Sequence, residues 1–184
     1  MKIEIAGGEM FDEQTDLFID VEPITVELNH SLVSISKWEA IHKRPFLPPV
    51  NVPYQTHPEM TQGEMISYIV CMVVGEVPSM ATMLMLYRNH SREIKEMINQ
   101  DQTATVVTFS GGKGQPHRGA VTSELIYYWM IEFGIPFECQ HWHLSRLMSL
   151  IKVCSAKRSN EKMSTQDVYR QNAALNEARK RGGR

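Results

Sequence analysis

The chain has 184 residues, 42% of them hydrophobic and 22% charged, a balance that suits one folded domain with a real core. A formal net charge of −2 gives no overall basic field for nucleic acid. No apolar run reaches the ~18–20 residues that a membrane-spanning helix needs.

The charge is unevenly placed. Residues 1–40 hold nine acids against Lys2 and Lys37, whereas residues 155–184 hold eight bases against Glu161, Asp167 and Glu177. Ends of opposite sign point to association, between copies or with a partner. Cys71, Cys139 and Cys154 each sit in apolar helical sequence, which predicts reduced thiols and an intracellular setting. The opening MKIEIAGGEMFDEQ lacks the basic stretch and apolar core of a signal peptide.

In chain order, 2–5, 17–21 and 23–28 alternate apolar and polar side chains, with Ile24, Val26 and Leu28 on one face and a polar turn at 12–16. These predict an antiparallel β-meander over 1–29 that must lay its apolar face on helices. Asn29 and Ser31 offer caps for a helix carrying Leu32, Ile35, Trp38 and Ile41, which ends before Pro45. Five prolines between 45 and 58 predict an extended connector.

Thr61 and Glu64 have the form of a capping box, followed by Met65, Ile69 and Met72 at helical spacing, with Gly75 able to end the helix. Pro78 suits the first turn of a next helix, SMATMLMLY, and Ser91 could cap a third, REIKEMINQ. The β-branched 103–109 reads as strand, and 110–119 as a glycine-rich loop.

The stretch 122–154 reads as a helical hairpin and the hydrophobic centre of the fold. Ile126, Trp129, Met130 and Phe133 form its first stripe; Gly134 and Pro136 make the corner; Leu144, Leu147, Met148 and Ile151 form the second. Residues 155–184 read as a basic linker and a C-terminal helix beginning at Ser164, too weakly apolar to stand without a surface to dock on. The fold class expected is mainly α with a small N-terminal antiparallel β unit. Its helical core spans 30–154, the loop included.

Several groupings bear on chemistry. Cys139 and His143, four residues apart, would stack on one helix face and could offer a thiolate and an imidazole to zinc, but two further ligands are missing from the pattern. Nothing assembles a nucleophile, base and oxyanion hole, and no cofactor is implied. The run Gly111-Gly112-Lys113-Gly114 departs from the nucleotide-binding loop, because Gly114 and Gln115 follow the lysine where Ser or Thr is required. The basic tail has only Tyr169 for stacking, so nucleic acid is the weaker reading of it. Twelve methionines stand out, and the cluster Met80, Met83, Met85 with Tyr87 reads as a soft apolar groove for helices.

At 30–46 (HSLVSISKWEAIHKRPF), 122–154 (TSELIYYWMIEFGIPFECQHWHLSRLMSLIKVC) and 162–180 (KMSTQDVYRQNAALNEARK), the chain resembles a family of small tailed-bacteriophage proteins from the tail-morphogenesis region, known as tail assembly chaperones. Met148 and the glycine-rich insert at 111–114 depart from it locally. The resemblance implies a non-enzymatic protein of the host cell cytoplasm that keeps the tape-measure protein soluble and recruits major tail protein to it. The resemblance carries over no site residues; Met80, Met83, Met85 and Tyr87 as groove, and Arg179, Lys180 and Arg181 as tail contacts, are read from residue chemistry alone. The rivals are a structural virion protein of the tail or connector, a nucleic-acid-binding regulator acting through the basic tail, and a zinc protein.

Overall fold

A computed structural model of the protein describes residues 1–12, 16–47, 60–103 and 120–161. The chain is mainly helical with a small N-terminal antiparallel β unit. Strands β1 (Lys2–Ile5), β2 (Gly8–Asp12), β3 (Leu17–Val21) and β4 (Ile24–Glu27) precede helices α1 (Leu32–His42), α2 (Gln62–Met72), α3 (Met80–Asn99), α4 (Ser123–Phe133) and α5 (Leu144–Glu161).

The β unit is a ribbon rather than a meander. β1 pairs with β4 and β2 with β3, both antiparallel, so β2 and β3 nest inside the outer pair. Lys2 lies opposite Glu27 and Ile5 opposite Ile24, then Gly8 opposite Val21 and Asp12 opposite Leu17, one register throughout. The ladder breaks where Pro23 has no N–H to give. Gly7 sits opposite the break at φ 76°, where a Cβ would lie 2.7 Å from the Val21 carbonyl oxygen. The inward face slips by one residue on both strands at this point. Ile3, Ile5 and Val26 are buried in the root, whereas Val21 is buried and Met10 half-buried in the tip. Strand β2 escapes the sequence pattern because glycine opens it and its inward positions are only half covered.

The segment after β4 ties the ribbon to the helices. The Asn29 and Val74 amides donate to Met72 and Glu27 carbonyls at 2.9 and 2.8 Å, and Leu144 donates to the His30 carbonyl at 2.9 Å. The helices pack in the spatial order α5, α4, α1, α2, α3, with β1 and β3 against α3. Central α1 buries Leu32, Ile35 and Trp38 completely. Its buried Glu39 accepts the amides of Phe46 and Ser123, both at 2.8 Å, and so satisfies an otherwise orphaned donor in the first turn of α4.

The sequence signals at the starts of α2 and α4 act as expected, whereas α2 ends at Met72, capped by Val73, three residues before Gly75. Thr61 and Glu64 form a reciprocal capping box, and Thr122 caps α4. Gly134 is left-handed, with the Ile135 amide returning to the Met130 carbonyl at 2.8 Å. The α4–α5 hairpin forms, with Ile126, Met130, Leu144, Leu147 and Ile151 buried.

Three further boundaries differ from expectation. Pro78 lies outside α3, whose cap is Ser79, and Ser91 is internal to one 20-residue helix. The buried stripe Met83, Leu86, Ile94, Met97 stays in phase through Ser91, so nothing breaks the helix there. α5 runs to Glu161 without a linker at 155. The expected connector from 48, the strand from 104, the 110–119 loop and the helix from Ser164 lie outside the described residues.

Candidate functional site

Where α1, α2 and α3 meet, they leave a trough of about 400 Å³ open to solvent. Ile41 from the last turn of α1 forms one wall, and Met80 and Leu84 from the start of α3 form the other. Gly63, Ile66, Ser67 and Val70 of α2 make the floor. Ile41 is 61% exposed and Met80 62% exposed, large values for apolar side chains beside a packed core. A Cβ on Gly63 would meet nothing within 4 Å, so the floor is low at that point and a visiting backbone could come close.

The walls are braced from behind. Trp38 stacks on His42 with ring centroids 4.3 Å apart and meets Phe46 edge-on at 5.3 Å. Arg44 lies over the Trp38 ring and pairs with Glu64, whose carbonyl accepts the Trp38 indole N–H at 3.3 Å. Hydrogen bonds from Thr61, its amide first, and the Arg44 charge hold the Glu64 carboxyl below the usual carboxylate range. His42 reaches Ser67 on the trough floor at 2.9 Å. The groove is therefore preformed, with its polar groups engaged with one another and its opening apolar.

The expected groove residues divide. Met80 is in the trough. Met83 is wholly buried in the core, a correction that follows from its place on the inner stripe of α3 beside Leu86. Met85 and Tyr87 are half-buried against the core and are absent from the trough lining. The Met85 methyl lies 4.0 Å from where a Gly8 Cβ would stand, so it faces the ribbon. Arg179, Lys180 and Arg181 lie outside the described residues. Sequence reasoning assigned Ile41 to the buried stripe of α1 and passed over Leu84 and Val70.

Cys139 and His143 do not share a helix face. Cys139 is buried in a 3-10 turn (Phe137–His141), Trp142 is extended, and His143 forms a bridge with Ser31. The His143 Nε2 faces the Met97 carbonyl at 2.9 Å and so carries the proton. Its Nδ1 is left to accept from the Ser145 hydroxyl at 2.9 Å. Both ring nitrogens are thus spent on joining the end of α3 to the start of α5. Among the described residues no three His, Cys, Asp or Glu side chains are grouped to hold a metal.

Beside His143 lies His30, buried, with Nδ1 on the Tyr68 hydroxyl and the two imidazoles edge-to-face at 5.1 Å. Burial, and then the neighbouring His143, push the His30 pKa down from 6.5 to about 3. This is a neutral core histidine, a strut between β4, α2 and α5. Among the described residues no helix is long and apolar enough to cross a membrane. Comparison with protein-family models, curated proteins and solved structures finds no match to this chain.

Proposed function

We propose that this chain is a non-enzymatic assembly chaperone of a phage tail, working in the host cytoplasm. In this reading it shelters amphipathic helical segments of the tape-measure protein and recruits tail-tube subunits. The observation that carries it is the open apolar trough walled by Ile41, Met80 and Leu84. A helix laid apolar face down in such a groove takes its anchors at i, i+3, i+4 and i+7. Methionine on the wall moulds to anchors of different shape, which suits a client that offers many similar segments. The phage setting comes from the resemblance of 30–46, 122–154 and 162–180; the binding mode comes from the trough.

The test is co-expression with the tape-measure protein, scored by the amount of that protein left soluble. Wild-type chain raises it, and Met80→Glu with Leu84→Glu lowers it toward the level without chaperone. Losing burial of one such side chain removes about 1.5–3 kcal/mol, or roughly 10- to 100-fold in affinity. Equal rescue by wild type and the double variant would remove the trough from the mechanism. Because Met83 is core, a charged substitution there unfolds the chain and tells nothing about the client.

A further inference from the structure

The outward face of the ribbon tip has no packing explanation. Phe11 and Phe18 oppose each other across the ladder, ring centroids 5.2 Å apart, and are 47% and 69% exposed. The next-but-one rung on the same face sets Glu9 opposite Asp20, both exposed. Like charges directly opposed weaken a two-stranded ribbon, and the cross-strand aromatic pair stabilises it only modestly while leaving both rings largely in solvent. Residues 8–22 contain six acids and no base. A surface of this kind fits an occupant that brings cations and apolar side chains together.

The chain carries such an occupant. Residues 162–184 hold six bases and two acids, with Met163, Val168, Tyr169 and Leu175 among them. We propose that this C-terminal segment docks on the Phe11–Phe18 face of its own chain, bases toward Glu9 and Asp20. The 23 residues after Glu161 can extend roughly 75 Å, against a domain diameter of about 40 Å for this length, so reach does not limit the contact. The tether supplies an effective concentration of order millimolar, which favours closure within one chain over pairing between two. The inference does not depend on the chaperone reading, since the ribbon residues are not part of the trough lining.

Zero-length carbodiimide cross-linking of the full chain tests it, because Lys180, far along the segment, can join only carboxylates it touches. Mass spectrometry should find that lysine linked mainly to acids between 9 and 22. The links should fall as salt approaches about 1 M, where screening acts within ~3 Å. Asp20→Lys, or Phe11→Ser with Phe18→Ser, should reduce them roughly fivefold, the effect of about 1 kcal/mol. In a mixture of ¹⁴N and ¹⁵N protein the links should join like to like. Links spread equally over Glu76, Glu93 and Glu138, or scrambled statistically between the two isotopic forms, would overturn the proposal. Should the phenylalanine variants fail to fold, the wild-type distribution and its salt dependence still decide.

Discussion

The two halves of the N-terminal ribbon share one register, yet the root buries Ile3, Ile5 and Val26, whereas the tip buries only Val21 and leaves its largest apolar side chains in solvent. Ile3, Ile5 and Val26 of the root face the helices and are sealed. Phe11, Leu17 and Phe18 of the tip, larger or equally apolar, stand in solvent. Alternation along a strand tells which residues share a face, but what that face meets is decided by elements far away in sequence. Here the one-residue slip at Gly7 and Pro23 turns the tip so that its phenylalanines point away from α3. Apolar character therefore marks folding in one half and recognition in the other.

Truncation is the strongest way to break this comparison. Ile5→Ala leaves a hole in packed core and should cost about 2–4 kcal/mol, whereas Phe18→Ala should cost less than about 1 kcal/mol. Urea midpoints at pH 7, with unchanged slopes, measure both. Equal losses would mean that the tip is as much core as the root.

The connection from the root into α1 passes through His30, and acid probes that junction without touching the tip. The folded pKa of about 3 lies below the unfolded value of 6.5, so between them the unfolded chain holds a proton that the folded chain does not. Stability is then full above pH 6.5 and declines as pH falls through that window, by about 1.4 kcal/mol per unit and about 2 kcal/mol by pH 5. Comparing unfolding at pH 7 and pH 5 in wild type and His30→Asn isolates the effect. The variant should lose one proton's worth of that slope. A slope shared by both proteins would show that His30 is protonated in the folded state.

What the sequence made legible follows the same division between local and distant causes. Capping at Thr61 and Thr122, the Gly134 corner and the stripes of α4 and α5 are set within a few residues, and all were readable. Met80 and Met83 show the limit. Three residues apart on one helix, they lie on either side of the boundary between trough and core, and only the placement of α2 beside α3 draws that boundary. Ile41 continued the α1 stripe by spacing but outruns the helices that cover it. The pairing of Cys139 with His143 failed because Pro136 and the 3-10 turn after it displace the helix start to Leu144. The ribbon was missed as a single unit because Gly7 and Gly8 interrupt the alternation that announces a strand.

The smallest effect sharpens the comparison most, because it separates what the tip does for the fold from what it does for a partner. Glu9 and Asp20 face each other on the ladder. If the rung served folding, evolution of the pair toward opposite charge would be expected, since an opposed ion pair favours a ribbon that two acids oppose. Asp20→Lys makes that exchange and should stabilise the β2–β3 pair by about 0.2–1 kcal/mol. Hydrogen exchange of the ladder amides of β2 and β3 reads the local gain directly. In a cycle with Glu9→Gln, the gain from Asp20→Lys should shrink when the opposing acid is gone, because the coupling lies in the pair. A ribbon made firmer by the same change that cuts the cross-links to the C-terminal segment would show that the acids serve binding, at a small cost in stability. If Asp20→Lys loosens the tip, Asp20 supports the fold, and the division between a core root and a recognition tip fails at that rung.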